Sequence, residues 1–313
     1  MGGELGSLVT SMLEREEWVG SLVGIDVDPP RRRLRRADFH LVSFADRQRV
    51  VDITAEFNPH VLVHVAVWEP DARAGTSHAE ALTNSATSSM LGAAAECPAL
   101  EAIVLRSGIE VYGRARGSAS RPTEASPLRP TSHYGRMLVQ LEQTAVNVAA
   151  RVGVAVAPIR LAPVLGKHVP SPLGRLLRQS VVPFSALADA PFSVVEVGDA
   201  AQAIVHAARL RAHQPVNVVA DGAINTLSAI LRGRRLPLPL VGPEWTLATR
   251  ISHVMGAPIP DHVLELIHRG RLADNGSTRE VLGVSPGHTT SDVIQQLYGW
   301  ESIIRVPALR SVA

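Results

Sequence analysis

Few side chains in this sequence stand where they could do chemistry, and they lie far apart along the chain. Tyr134 heads a helix-patterned run over 134–151, where a phenol can exchange a proton with a substrate or hold a ribose hydroxyl. Asp26 falls near the end of an apolar run over 21–27. A carboxylate at a strand end can accept hydrogen bonds from the hydroxyls of an adenosine ribose, which favours a dinucleotide lacking a 2′-phosphate. Opening the turn to Pro29-Pro30 is its plainer role. His64 sits in the run 61–67 and reads as a hydrogen-bonded residue near a cofactor loop. A metal role is disfavoured because the twelve histidines are scattered, with no HExxH-type spacing. The arginine-rich run 31–36 could grip a phosphate or an acidic partner, or be a solvated surface. Trp68 and Glu69 either shape a substrate mouth or pack. Tyr112, Trp245, Tyr298 and Trp300 read as packing residues.

The elements that must position these residues follow from periodicity. Apolar residues at Leu5, Leu8, Val9, Met12 and Leu13 have the spacing of one helix face. Further helices are expected over 47–56, 78–96, 134–151 and 199–210. Strands are expected over 21–27, 61–67, 102–106 and 154–161. Strands separated by helices imply a parallel sheet with right-handed crossovers. Runs that are apolar throughout suit a sheet covered on both faces. Beyond Gly166 prolines become frequent and strands shorten. The expected division is a nucleotide-binding domain over 1–161 and a smaller lobe within 162–313, some of whose pieces return to the main sheet.

Composition narrows the class. The chain has 313 residues, 46% hydrophobic and 19% charged, enough for a substantial core. Lys167 is the only lysine, and a net charge of +2 gives no footprint for nucleic acid. One cysteine, Cys97, allows no intrachain disulfide and no cysteine zinc site, and no metal is expected. The first residues show no secretory pattern and no apolar run is long enough to span a bilayer, so the expected location is the cytoplasm, with no membrane partner.

In their order, several short segments together resemble the extended short-chain dehydrogenase/reductases, the NAD-dependent epimerase/dehydratase family. Residues 1–4 resemble the end of its TGxxGxxG loop, with Gly2 as the final glycine. Val23-Gly24-Ile25-Asp26 resembles the second strand and its acid. Val63-His64-Val65-Ala66 resembles the HxA segment. Asn84 falls where the family's helix carries asparagine. Ser107-Gly108-Ile109-Glu110-Val111-Tyr112-Gly113 resembles the strand end that closes in VYG. Tyr134-Gly135-Arg136 resembles the start of the YxxxK helix, and 160–166 the RLxNVYG strand. Asn217-Val218-Val219 resembles a late segment. The resemblance implies a Rossmann-like, doubly wound parallel sheet, NAD as cofactor, a nucleotide-diphosphate sugar as substrate, and a homodimer formed by the helices over 78–96 and 134–151. It places Tyr134 and Ser107 at the chemistry. Gly2, Asp26, Ser43, His64, Ala66, Asn84 and Tyr134 fall at the cofactor.

The departures bear directly on activity. Met1 falls inside the dinucleotide loop, so the family's first strand would lie before it. The expected sheet has a gap flanked by the strands over 21–27 and 61–67. The lysine of YxxxK is Leu138, so nothing on the helix face of Tyr134 lowers the phenol's pKa. The serine or threonine position is Gly108, and Ser107 beside it points to the other face of the strand. Pro163 replaces an asparagine, and Ser43 stands where an aspartate is common. The expectation is an epimerase/dehydratase-like protein whose turnover is in question, the alternative being a non-catalytic dinucleotide or nucleotide-sugar binder.

Overall fold

The computed structural model describes residues 1–71, 74–242 and 259–300. Trp245 lies outside them. Helix α1 (Glu4–Leu13) buries Leu5, Val9 and Leu13, one per turn, and leads to β1 (Val23–Asp26). A short strand β2 (Asp38–Leu41) follows. Helix α2 (Arg47–Phe57) begins where the Asp46 carboxylate accepts the Arg49 N–H at 3.1 Å and ends at Asn58, which adopts the left-handed conformation with φ 48°. Then come β3 (Val61–His64), α3 (Thr76–Ala95), β4 (Ala102–Gly108), a 3₁₀ turn (Ile109–Tyr112), α4 (His133–Val152) and β5 (Ala155–Leu161).

All pairings between these strands are parallel. One sheet has the order β1-β2, and a second runs β3-β4-β5-β9, with β9 at Val216–Val218. Helices α2, α3 and α4 pack in series on one side; α1 packs on α6 (Val197–Leu210) on the other. The expected gap is present. No strand among the described residues lies between β1 and β3, and residues 4–13 form a helix.

The strand β2 escaped the periodicity reading because its four residues are exposed or half-buried and do not alternate cleanly. It ends at Leu41, so Ser43 lies two residues beyond the ladder. A second hydrophobic core gathers later residues, including Leu173, Phe192, Ile230, Ile267 and Leu297. Short strands β6 (Val164–Leu165) and β8 (Val195–Glu196) pair in parallel, and the elements of the second core include α5 (Pro172–Leu177), β7 (Val181–Ser185), α7 (Thr226–Arg232), β10 (Leu236–Leu240), α8 (Asp261–Arg269) and α10 (Thr290–Gly299). Between the last two lies α9 (Gly276–Leu282), which packs on β9 and α6. No described helix is long and apolar enough to cross a membrane.

Candidate functional site

A cavity of about 950 Å³ opens between the two sheets, lined by β1, by residues 61–69 and by α1. The strand order runs outward from this gap in both directions, so its carboxyl-end mouth is the point where a doubly wound sheet binds ligands. Asp26 stands at that mouth. Its carboxylate accepts N–H bonds from Gly2 at 2.7 Å, Val27 at 2.8 Å and Asp28 at 3.2 Å, and pairs with the Met1 ammonium at 2.5 Å. Burial alone would raise its pKa, but the ammonium and the amide donors hold it below the usual aspartate value. Gly2 is buried, and a side chain there would meet the Asp28 carbonyl at 2.5 Å, so the close approach needs glycine. Helix α1 starts next to it, its cap residue Gly3 leaving the first amides without a side-chain acceptor. An acid, a close-approach glycine and an open helix N-terminus are features that suit the ribose and phosphates of a dinucleotide.

The remaining cofactor candidates separate. His64 is buried at the end of β3, its Nε2 3.2 Å from Thr87 Oγ1. Burial without a charged partner pushes it down to about 4, so it is neutral near pH 7. Ala66 lines the cavity. Ser43 is exposed, accepting a bond from the Ala45 amide, and Asn84 is exposed on α3; neither lines the cavity. The α3 residues that line the cavity are His78, Leu82 and Met90, while Thr83 accepts the Trp68 N–H at 3.0 Å and Thr87 meets His64, holding that wall from behind. The i, i+4 spacing of Thr83 and Thr87 was a readable signal for one helix face. The arginine run folds back on α1. Arg31 donates to the Gly2 carbonyl at 3.1 Å, Arg32 pairs with Glu4 at 2.6 Å, and the Glu14 carboxylate accepts the amides of Arg35, Arg36 and Ala37.

Tyr134 sits in the first turn of α4, where Ser132 accepts the Gly135 N–H at 3.1 Å. Its hydroxyl has no hydrogen-bond partner among the described residues. Burial pushes the phenol well above its ordinary pKa, Arg106 and Arg271 opposing and Glu69 and Glu110 reinforcing the shift. The family's two other reactive positions come together beside it. A side chain at Gly108 would lie 3.0 Å from Leu138 Cδ1 and collide with the Glu110 carboxylate. Leu138 is fully buried. Glu110 pairs with Arg271 at 3.0 Å, and Arg271 also reaches Glu265 at 2.6 Å. An apolar contact backed by a buried ion pair therefore fills the space near the phenol.

Ser107 faces elsewhere. Its hydroxyl donates to Glu142 at 2.5 Å, and Glu142 is gripped through both oxygens by Arg160 at 3.0 and 2.7 Å. Arg160 also donates to the Tyr112 hydroxyl at 2.8 Å, which donates to Asn217 at 2.7 Å. This network ties β4, α4, β5 and β9 together and contains no cavity-lining residue.

One feature was not legible in advance. His262 on α8 lies against Tyr134, ring centroids 4.8 Å apart, and its Nε2 is 3.0 Å from Glu69 on the cavity wall. Burial opposes its charge, but Asp261 and Glu69 overcome that and raise it to about 9. Tyr298 and Trp300 pack on the second core, as expected; the Tyr298 hydroxyl donates to Ala229 at 2.7 Å.

Comparison with known proteins agrees with this geometry. The model of the NAD dependent epimerase/dehydratase family matches residues 1–220. An uncharacterized protein of Mycobacterium tuberculosis (strain H37Rv) is 26% identical over 305 residues, which cover 94% of this chain and 80% of that protein. Among solved structures, the fold is similar to UDP-glucose 4-epimerase of Thermotoga maritima with UDP-glucose, at TM-score 0.71, 16% identity and 96% coverage of both chains. It is likewise similar to UDP-glucuronic acid 4-epimerase of Bacillus cereus in complex with NAD, at TM-score 0.69 and 15% identity, covering 96% of this chain and 95% of that one. The chain belongs to the NAD-dependent epimerase/dehydratase family.

Proposed function

We propose that this protein binds NAD and a nucleotide-diphosphate sugar at the carboxyl ends of β1, β3 and β4, and that it does so without turning the sugar over. Asp26, Gly2 and the start of α1 would hold the dinucleotide, and residues after about 161 would receive the sugar. Bound NAD supplies a hydride acceptor. This chain's part would be to draw the hydroxyl proton from the sugar, and Tyr134 is the group for it. The observation that carries the reading is the contact of Gly108, Leu138 and Glu110: no cation and no hydroxyl adjoin the phenol from those positions. A buried phenol with a raised pKa is a hydrogen-bond donor near neutral pH, not a base. The test is calorimetric titration with NAD and with nucleotide-diphosphate sugars, alongside a turnover assay over the same sugars. Binding with no turnover supports the reading, and turnover by the unaltered chain overturns it.

A second reading is favoured by one contact. His262, held by Glu69, brings a cation against the Tyr134 ring. If the chain turns over sugars, His262 takes the part the family gives to lysine. His262→Gln would then lower turnover by about 10²-fold or more and shift the pH–rate profile, while leaving NAD binding unchanged.

A further inference from the structure

An arginine inside a protein normally brings its own counter-ion, because an unpaired charge away from water is costly. Arg160 pairs with Glu142 in that way, and Arg271 with Glu110 and Glu265. Arg106 does not. It is the one charged residue of β4, whose six other residues are buried. Its Nη1 donates to the Val67 carbonyl at 2.9 Å. Among the described residues it meets no carboxylate, and its Nε and Nη2 have no acceptor. Those donors are not sealed in, since Arg106 is only half-buried and lines the cavity together with Glu69. Glu69 is already engaged with His262 at 3.0 Å. Strand β4 is paired on both sides, with β3 and β5, so a complete stretch of sheet fixes the place of Arg106.

The free donors limit what they can hold. Nε and Nη2 lie on one edge of the guanidinium plane, and their two parallel N–H groups match the two oxygens of a carboxylate. The bond to Val67 holds that plane, so less freedom is lost when an anion docks. A phosphate monoester also fits the edge, but it carries about 1.5 to 2 negative charges near pH 7. The Glu69 carboxylate on the same wall opposes such a group more than a monoanion. Position says which part of a ligand is met. Asp26, Gly2 and the start of α1 lie on the β1 side, where the adenosine and phosphates of the dinucleotide belong. Arg106 stands across β3 from them, close enough to Tyr134 for its charge to oppose the rise of the phenol's pKa. The nicotinamide ring carries no negative charge. In the nucleotide-sugar site proposed above, on which this placement rests, the group beside Tyr134 is the sugar.

We propose that Arg106 is a specificity-determining residue that binds a carboxylate on the sugar, so that the site prefers a nucleotide-diphosphate sugar carrying an acid group over its neutral counterpart. A neutral sugar leaves Nε and Nη2 without an anion. An acidic one supplies the counter-ion that the chain itself does not.

The experiment is calorimetric titration of the full chain, with NAD present, comparing UDP-glucuronate with UDP-glucose. The two differ only in a carboxylate or a hydroxymethyl group on the sugar. The parent should bind the acid at least about tenfold more tightly, as expected of a charge-assisted pair of hydrogen bonds. Arg106→Gln, whose amide can still donate to Val67, should bring the two within about twofold, and Arg106→Lys, which keeps the charge without the fork, should fall between. The urea midpoint of each variant reports whether it is folded. Equal affinities in the parent would overturn the proposal without any variant, and so would a preference undiminished in either folded variant. Free glucuronate, glucose and glucose 6-phosphate separate this inference from the site it rests on. If neither nucleotide sugar binds, the function proposed above fails. Glucuronate bound in preference to glucose and to glucose 6-phosphate would then still support the carboxylate site, and no such preference would overturn that as well. Tighter binding of glucose 6-phosphate than of glucuronate would overturn the choice of a carboxylate.

Discussion

Two buried histidines shifted in opposite directions should give this protein a stability maximum close to pH 6.5. His64 carries the acid arm. It is 3% exposed, its one side-chain partner is the Thr87 hydroxyl, and burial lowers it from 6.5 to about 4. Between those values the unfolded chain holds a proton that the folded chain refuses, so stability falls as pH falls. One pKa unit is about 1.4 kcal/mol, which makes the full arm about 3 kcal/mol. His262 carries the alkaline arm. Its folded pKa of about 9 lies above 6.5, so its contribution is complete below 6.5 and is lost as pH rises towards 9. The assay is urea unfolding at pH steps from 4 to 9, extrapolated to water. His64→Gln can keep the bond to Thr87 and has no proton to gain, so it should flatten the acid arm and leave the alkaline arm alone. His262→Gln should do the reverse. His268, lowered by burial and by Arg269, adds to the acid arm, which is why the single variant is needed. Asp26 and Glu14 are held below their ordinary values, so their losses fall at more acid pH. An acid slope unchanged by His64→Gln would refute the reasoning.

Three other outcomes follow from the buried polar contacts. Arg160→Met should cost about 3–5 kcal/mol, since it strands the Glu142 carboxylate, whereas adding Glu142→Leu should recover most of that loss in the same urea measurement. Leu138→Lys should be less costly in the parent than in a Glu110→Gln background, by about 2 kcal/mol in a double-mutant cycle, because the new ammonium meets the Glu110 carboxylate. Gly2→Ala should destabilise by about 1–3 kcal/mol, read as a lower urea midpoint, because the methyl presses on a main-chain carbonyl that cannot swing aside.

Much of the frame was readable because long amphipathic helices announce themselves and caps mark their ends. Asn58 and Gly153 stop α2 and α4 in left-handed conformations, as their residue types invite. The interrupted sheet was readable only through the family resemblance, which put Met1 inside the dinucleotide loop. On α3 Asn84 points outward and its neighbour Thr83 inward, because a step along a helix turns the side chain by about 100°, and a single sequence does not show which of two polar neighbours faces in. The partners of the buried charges could not be read. Glu142 sits on an apolar helix face and Arg160 inside a strand, and only their meeting across α4 and β5 explains both. His262 lies 128 residues from Tyr134, and nothing local to α8 points at a phenol on α4.

The crowding at Gly108 also ties three positions into one packing unit. A serine at 108 would strike the Glu110 carboxylate, which Arg271 holds in place, and would press on Leu138. Room for a hydroxyl there has to come from a smaller or displaced partner at 110 or 138, so its cost depends on what stands at those positions. Engineering this wall one residue at a time would therefore misjudge what the residues can do together.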